Sequence, residues 1–414
     1  MAPRLIYVCG VIIAVAMIAV AHVDPRVAPL TFFACVGSAG TSYLTVVWLI
    51  PRTRLESRSA LAFCLGLAAL WRVPLLMSPP LLSTDVYRYV WDGRLQHLGY
   101  DPYTVIPDDP AVAKLHDRET KQMNHPWLPT PYPPVAQFFF RVATRPSASA
   151  RAMKAALVMC DALLVIVLLR WLDGSGRPAV RVLGYAWNPL VALEVAGNGH
   201  VDVLGALLLV LSAWCLTERR RGMATAAWML AIGVKVLPIV LAPLFWKRVR
   251  PRDVALGAVL LIVFYVPFVS RHGLPIGSLG TYVDYWRFNA PLFGVAEMVL
   301  PSRLVTALAA LAGFVVAAKL RQVCSVDAPE AWAWPLAAVL LVAPAVYSWY
   351  LLWLTPFLTT GATWPLAVWT VTVLLTYIDL ISGVPWWAFA LEYGLVLAAA
   401  APLLRRVMRR LIEV

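Results

Sequence analysis

Charged residues are scarce in this chain: Lys, Arg, Asp and Glu make up 14% of its 414 residues, whereas 61% are hydrophobic. Soluble domains carry about 25% charged residues, so the composition excludes an ordinary soluble protein and indicates a polytopic membrane protein. The few charges are unbalanced, with a formal net charge of +13. Because the basic residues flank apolar segments, they are better explained as determinants of membrane topology than as a nucleic-acid-binding surface.

The six cysteines form no CxxC pattern. Five lie within apolar segments, and Cys324 lies in a short basic loop. No disulfide framework and no cysteine metal site is visible in this spacing. The chain also shows no convincing internal repeat and no low-complexity tail.

Apolar runs long enough to cross a hydrocarbon core of roughly 30 Å recur along the chain. We predict 12 spans with both termini inside, at 5–22, 29–50, 59–77, 149–172, 182–197, 200–217, 254–270, 303–318, 331–346, 347–360, 364–382 and 385–404. The first run ends on Ala19-Val20-Ala21 and is either a retained span or a cleaved signal peptide. The later topology is the same in both cases.

Groups of basic residues orient these spans, because Lys and Arg are enriched in cytoplasmic loops. The loop with Arg52, Arg54 and Arg58 is predicted to be cytoplasmic, so the next span delivers the long loop 78–148 to the exoplasmic side. The same rule makes the turn 197–200 and a second loop, 271–302, exoplasmic. The other cytoplasmic bases are Arg4, Arg170, Arg177, Arg181, Arg219, Arg220, Arg221, Lys247, Arg248, Arg250, Arg252, Lys319, Arg321, Arg405, Arg406, Arg409 and Arg410.

Residues 222–246 have basic groups on both flanks. The same sign on both sides predicts that this segment enters and leaves on the cytoplasmic face as a re-entrant hairpin. The break would fall around Gly233, Lys235 and Pro238. The alternative is a single span that violates the charge rule.

A polar and aromatic stretch, Ser83 to Tyr103, stands out within the 78–148 loop. Ser83 or Thr84 can cap a helix that Gly99 ends. The spacing predicts an amphipathic helix with two carboxylates on a wet face and aromatic side chains in the membrane interface. Such a helix either contributes catalytic residues or only forms part of the surface of a membrane protein. The wet face would present Asp85, Tyr89, Asp92 and Gln96, and the other face Tyr87, Trp91 and Leu98.

Five prolines follow in the same loop between Asn124 and Pro134. Proline lacks a backbone N–H and fixes φ, so this segment is predicted to form turns or polyproline conformation rather than a helix. A stiff segment of this kind either holds His125, Trp127 and Tyr132 over a site or is a plain structural connector.

Ionisable residues near apolar segments are costly, and each is therefore a functional candidate. Because most of them converge on the exoplasmic side from distant parts of the chain, we expect a cavity there. Asp161 lies in mid-span with no evident partner, and we expect a hydrogen-bonded packing role for it and for Glu392. The exoplasmic set is Asp85, Asp92, Glu194, His200, Asp202 and Arg287.

Such a set suits transfer of a sugar from a lipid phosphate. A carboxylate can take the proton of an acceptor hydroxyl, while cations and hydroxyls stabilise the charge on the departing phosphate. The aromatic residues, 11% of the chain, either stack on sugar rings or form interfacial belts.

Several motifs occur in order along the chain: YRYVWDGR, GYDPY, YPPVAQ, AWNPLVALEVAGNGHVD, KVLPIVLAPLFWKR and FNAPLF. Together they resemble the GT-C superfamily of polyprenol-phosphate-sugar-dependent glycosyltransferases, in particular bacterial mannosyltransferases related to the mycobacterial phosphatidylinositol mannoside and lipomannan enzymes. The resemblance implies a GT-C fold over one domain, 1–414, and inverting transfer of a hexose, with mannose expected. The donor would be a polyprenyl-phosphate sugar, the acceptor lipid-linked or a glycan, and the site would lie on the exoplasmic face of the plasma membrane.

The resemblance also implies roles for single residues. The acid at the start of the first loop would be the catalytic base, here Asp85, with Asp92 in support or in its place. Lys235 reaches such a site only if the hairpin penetrates deeply. Candidates to bind the donor phosphate are Arg88, Lys235, Arg287 and Tyr347. Candidates to line the pocket are Tyr89, His125, Tyr132, Glu194, His200, Asp202, Asn289, Trp349 and Tyr350.

One departure from the family pattern concerns Tyr347-Ser348-Trp349-Tyr350, where relatives commonly carry His-Pro-Trp-Tyr. A Tyr hydroxyl donates a hydrogen bond but has no positive charge at neutral pH. Donor binding would therefore lean more on arginine, or the donor would differ from mannose.

The sequence requires no cofactor. Asp85 and Asp92 could bind a divalent cation but have no complete ligand set, so metal dependence stays open. Membrane lipids are expected partners, nucleic acid is not, and the oligomeric state is undetermined. Two other function classes remain: a transporter or lipid flippase, which should place polar residues on a path to both faces, and a noncatalytic scaffold, in which the clustered acids would be incidental.

Overall fold

The computed structural model describes residues 2–52, 57–269 and 274–412. Arg54 and residues 271–273 of the second loop predicted to be exoplasmic lie outside the described residues, as do the side chains of Arg406, Arg409 and Arg410. The described chain is helical, as predicted, with an isolated β-bridge between Phe288 and Ala345.

The α-helices are α1 Ala2–Val20, α2 Pro29–Leu49, α3 Arg58–Met77, α4 Asp85–His97, α5 Pro134–Ala143, α6 Ala150–Gly174, α7 Leu183–Ala186, α8 Pro189–Val191, α9 Asp202–Thr217, α10 Arg221–Val234, α11 Ala242–Phe245, α12 Pro251–Tyr265, α13 Leu279–Tyr285, α14 Pro291–Glu297, α15 Ser302–Val323, α16 Pro329–Leu341, α17 Trp364–Thr372, α18 Asp379–Ser382 and α19 Trp386–Ile412. A π-helical turn spans Ala192–Gly197. The 3₁₀ helices are Ile50–Arg52, Pro110–Leu115, Thr120–Gln122, Ala179–Val182, Leu237–Leu241, Val266–Phe268, Ser348–Trp353, Thr355–Phe357, Gly361–Thr363 and Val373–Ile378.

Seven helices within the described residues are long and apolar enough to cross a membrane. This supports a multi-pass membrane protein, and the total of 12 spans stays a prediction. Two further predicted spans correspond to shorter apolar helices, Arg4–Val20 and Asp202–Thr217. The seven are Pro29–Arg52, Arg58–Met77, Ala150–Gly174, Pro251–Phe268, Ser302–Val323, Gly361–Ser382 and Trp386–Arg405.

The predicted spans 182–197 and 347–360 are interrupted rather than continuous helices. In the first, Asn188 accepts a hydrogen bond from the Leu190 backbone N–H at 3.0 Å, and Pro189 follows it, so a new helix begins there. Every residue from 182 to 203 is buried. This broken segment therefore forms the centre of the fold, and its turns direct side chains that a straight helix would point elsewhere.

The chain reverses direction after α10. Gly222 lies beside Leu256, and Gly233 lies beside Leu261, so α10 and α12 run parallel. The segment between them must return the chain to the end at which α10 begins. The reversal occurs at Lys235, whose backbone is extended, as the predicted break requires. The placement of this reversal in the membrane stays a prediction.

α4 begins and ends where the sequence predicts. The Ser83 hydroxyl accepts the Asp85 backbone N–H at 3.3 Å, and Gly99 follows the helix with a φ of +80°. The predicted wet face is wrong, because Tyr89 and Asp92 are as buried as Trp91 on the opposite face. The proline-rich segment and α5 fold over the face that carries the carboxylates.

Asp161 has the partners that the sequence did not reveal. Its carboxylate lies 2.6 Å from the Arg72 Nε atom and accepts a hydrogen bond from the Tyr185 hydroxyl at 2.7 Å. This buried pair joins α3, α6 and α7. Glu392 likewise accepts hydrogen bonds from the Asn289 amide and the Trp369 indole, at 3.1 and 2.7 Å, which confirms its predicted packing role.

Candidate functional site

A cavity of about 320 Å³ opens where six parts of the chain meet. They are the start of α4, the proline-rich segment, the start of α9, the reversal at Lys235, and the 279–286 and 339–353 regions. Cavities of this size suit small-molecule ligands. The aromatic side chains in its wall are Tyr132, Tyr282, Trp286, Tyr347, Trp349, Tyr350 and Trp353.

Asp85, the first residue of α4, lines this cavity. Its Oδ1 atom accepts a hydrogen bond from the Asn124 amide at 2.6 Å, and its Oδ2 atom accepts one from the Tyr132 hydroxyl at 3.4 Å. Burial raises the pKa of Asp85, and the Asn124 hydrogen bond and the Lys235 charge oppose that rise. The result is a fixed carboxylate that is more basic than a surface aspartate.

Lys235 also lines the cavity, because α10 ends level with the start of α9. Its Nζ atom lies 2.7 and 2.9 Å from the two carboxylate oxygens of Asp202. The Trp353 indole donates to the same carboxylate at 2.7 Å, and Lys235 lies 4.3 Å over the Tyr350 ring. Lys235 thus lies at the cavity, whereas the re-entrant path of the segment 222–246 through the membrane stays a prediction.

Four rings form a parallel stack along one side of the cavity. Phe288, Tyr347, Trp349 and His200 follow one another at centroid distances of 4.3, 4.5 and 4.1 Å. The Val346 backbone N–H donates to the Phe288 carbonyl at 2.8 Å, which joins the stack to the 271–302 loop. Tyr347 and Trp349 are the members that line the cavity.

The proline-rich segment supports the site rather than merely connecting two helices. It contributes His125 and Tyr132 to the cavity wall, whereas Trp127 points away and is 58% exposed. His125 adopts a φ of +47°, and its carbonyl accepts a hydrogen bond from the buried Arg88 guanidinium at 2.8 Å. Arg88 therefore lines a small adjacent cavity, with Asp85, behind the main one.

Several predicted site residues lie elsewhere. Asp92 is buried two turns along α4, where its Oδ2 atom accepts hydrogen bonds from Thr130 and Gln137 at 2.6 and 2.8 Å. Arg287 pairs with Glu297 at 2.6 Å, away from the cavity. Asn289 binds Glu392, and Tyr89 stacks on Phe140. Glu194 and His200 are fully buried behind the cavity wall.

Four polar or aromatic residues of the cavity wall were not singled out from the sequence: Asn124, Tyr282, Trp286 and Trp353. Asn124 precedes His125 directly, and a polar amide beside that segment was a usable signal. The three aromatic residues carried no such signal, because interfacial belts explain aromatic side chains in membrane proteins equally well.

Within the described part of the chain, no group of three or more His, Cys, Asp or Glu side chains is arranged to hold a metal ion. Asp85 and Asp92 belong to separate hydrogen-bond networks.

Comparisons with known proteins agree with the predicted family. The family described as "Alpha-(1->6)-mannopyranosyltransferase, N-terminal domain" matches residues 3–250. The alpha-(1->6)-mannopyranosyltransferase A of Mycobacterium tuberculosis is 25% identical over 366 residues, which cover 76% of this chain and 68% of that protein. A probable alpha-(1->6)-mannopyranosyltransferase of Mycolicibacterium smegmatis is 29% identical over 181 residues, 40% of this chain and 31% of that protein. No solved structure matches the chain.

Proposed function

We propose, since the chain belongs to the alpha-(1->6)-mannopyranosyltransferase family, that it transfers mannose from a polyprenyl-phosphate donor to a lipid-linked or glycan acceptor at the exoplasmic face of the plasma membrane. The observation that carries this proposal is the cavity in which the Asp85 carboxylate and the Lys235 ammonium are held by separate partners. A base and a cation in one aromatic cavity suit the displacement of a phosphate by a hydroxyl.

Asp85 would take the proton of the acceptor hydroxyl as the hydroxyl oxygen attacks the anomeric carbon of mannose. The bond between that carbon and the phosphate oxygen breaks, and its electron pair leaves with the polyprenyl phosphate. A single displacement inverts the anomeric centre, so an alpha product requires a beta-linked donor. Asn124 and Tyr132 would keep the carboxylate oriented for this step.

Lys235 would stabilise the phosphate as charge develops on it. It is the permanent cation among the lining residues of the cavity, whereas Arg287 is paired outside and Arg88 lies behind His125. The expectation that arginine would replace the missing histidine therefore gives way to a lysine, aided by the Tyr282 and Tyr347 hydroxyls. The aromatic wall offers faces for the sugar ring.

The proposal predicts that the purified protein transfers mannose from a polyprenyl-phosphate donor to a mannosylated lipid acceptor. Asp85→Asn should lower the rate by about 10² to 10⁴-fold, because it removes the base but keeps the side-chain shape. Donor binding should persist. Product formation is followed by thin-layer chromatography of radiolabelled lipid, and donor binding by equilibrium titration.

Asp108→Asn is the matched control, since Asp108 is an exposed acid of the same loop outside the cavity. Near-normal transfer by Asp85→Asn would remove Asp85 from the base role. Accumulation of the donor in sealed vesicles without any mannosyl product would instead indicate a transporter.

A further inference from the structure

The imidazole ring of His200 is buried behind the cavity wall, between the carboxylates of Asp85 and Glu194. The Nδ1 atom of His200 is 3.9 Å from Asp85 Oδ2, and its Nε2 atom is 3.4 Å from Glu194 Oε2. His200 is fully buried, and neither ring nitrogen has a hydrogen-bond partner among the described residues. Buried polar atoms are almost always paired, so two unpaired nitrogens on one ring call for a reason.

The His200 ring is held in this position from several sides. It stacks on Trp349 with an angle of 11° between the rings. Its backbone N–H donates to the Glu194 carbonyl at 2.8 Å, and Gly199 before it has a φ of +76°. The ring is therefore fixed with one nitrogen towards each acid.

Glu194 is fixed as well. Its Oε2 atom accepts a hydrogen bond from the Asn198 amide at 3.0 Å, and its Oε1 atom accepts one from the Tyr377 hydroxyl. A neutral imidazole carries one N–H, and the Glu194 carboxylate favours the tautomer with that hydrogen on Nε2. The lone pair of Nδ1 then faces Asp85, which explains the long distance to an ionised carboxylate.

We propose that His200 is a positioning residue for Asp85 and accepts a hydrogen bond from the Asp85 carboxyl once Asp85 has taken the proton of the acceptor. This inference rests on the proposed function, because it needs Asp85 as the base. The proton moves from the acceptor hydroxyl to Asp85 Oδ2 as the acceptor oxygen bonds the anomeric carbon and the polyprenyl phosphate leaves, and the new Asp85 O–H then points to the lone pair of His200 Nδ1. Glu194 keeps the hydrogen of the neutral imidazole on Nε2, and the proton returns from Asp85 to the cavity when the product leaves.

The test is the pH dependence of kcat for His200→Phe, which keeps a ring on Trp349 but removes both nitrogens. We expect kcat to fall about 10²-fold while the donor KM stays near its wild-type value. The acidic limb of the profile should move to lower pH, because protonated Asp85 loses its hydrogen-bond acceptor. The other charged or titratable groups near the pair stay in place in this variant. They include Lys235, Asp202, Glu194, Arg88, His125, Lys154, Tyr89, Tyr132, Tyr282, Tyr347, Tyr350 and Tyr377.

His116→Phe is the matched control. His116 also stacks on a tryptophan, Trp91, at 3.9 Å with an angle of 9° between the rings, and its Nε2 atom bonds the Pro107 carbonyl rather than an acid. Its pH profile should superimpose on that of the wild type. Glu194→Gln is a second probe that keeps the side-chain shape, and it should shift the acidic limb in the same direction as His200→Phe.

A lower kcat with an unshifted acidic limb in both site variants would mean a purely structural role and would overturn this inference. Such a result would leave the proposed function intact, provided that the wild type transfers mannose and Asp85→Asn does not. Absence of mannosyl transfer by the wild type would instead overturn the proposed function itself.

Discussion

Two aspartates on one helix differ only in what surrounds them. Asp85 lies at the first turn of α4, where two hydrogen bonds hold it at the wall of an open cavity. Asp92 lies two turns further on and has no access to that cavity. Its Oδ2 atom accepts two hydrogen bonds, and its Oδ1 atom is buried without a hydrogen-bond partner among the residues that the structure describes. The environment, not the residue type, therefore separates a candidate base from a packing residue.

Asp92→Asn should stabilise the protein at neutral pH and keep its activity. Burial raises the pKa of Asp92 to about 6, above the ordinary value near 3.9. A raised pKa means that the protonated form favours folding, so this contribution is complete at low pH and is lost as the pH rises through about 6. Asparagine stays neutral throughout. The thermal midpoint of the Asp92→Asn variant in detergent should exceed that of the wild type at pH 7, and the two midpoints should converge as the pH is lowered.

Transfer activity measured on the same Asp92→Asn sample decides between packing and chemistry. An inactive variant with a wild-type thermal midpoint at every pH would return Asp92 to the list of bases. A substitution of Arg94 provides the comparison, because Arg94 pairs with Asp117 in the loop beyond α4 and makes a polar contact of the same helix that is unrelated to Asp92.

At the level of elements, position 199 in the turn 197–200 has a backbone conformation and a close packing that favour glycine. Gly199 has a φ of +76°, and a Cβ atom there would lie 2.8 Å from Lys154 Cγ and 3.1 Å from Val86. Lys154 cannot move aside easily, because its ammonium donates to the Leu75 and Ser78 carbonyls at 2.8 and 2.7 Å. The turn therefore positions His200 and α4 together.

A comparison of Gly199→Ala with Gly99→Ala separates the cost of backbone strain at a positive φ from the cost of a steric clash. Gly99 has a similar φ of +80° but no atom within 4 Å of the added Cβ. Its substitution should cost about 1 kcal/mol, from backbone strain alone. Gly199→Ala adds a clash and should cost about 1–3 kcal/mol more. Thermal midpoints in detergent provide the check, and equal losses in the two variants would show that the clash is relieved.

The sequence predicted most of the local structure of the site. Ser83 and Gly99 marked the ends of α4, and the prolines after Asn124 excluded a helix there. The prediction of a wet face on α4 was wrong, because helical spacing shows which residues share a face but not which parts of the chain cover that face. In the same way, the spacing around Arg287 gave no sign that Glu297, ten residues later, would bind it outside the cavity.

At the scale of the whole molecule, the site depends on long-range packing that local patterns do not show. Asp85 and Asp202 were identified as ionisable residues near apolar segments and Lys235 as a candidate to bind the donor phosphate, and the fold brings the three to one cavity. The interrupted segments at 182–197 and 347–360 were less accessible to prediction, because a hydropathy pattern measures apolar length and not helix continuity. Asn188-Pro189 was the local signal of the first interruption.

The side of the membrane on which the cavity opens is testable with a pair of matched cysteines. Ala113 and Ala179 are both exposed and both lie in 3₁₀ helices, in the 78–148 loop and after α6 respectively. The placement of basic residues predicts that the first loop is exoplasmic and the second cytoplasmic. A membrane-impermeant maleimide applied to intact cells should therefore label Ala113→Cys and spare Ala179→Cys until the cells are permeabilised. Labelling of the wild type gives the background from its six cysteines, and the reverse pattern would place Asp85 on the cytoplasmic side.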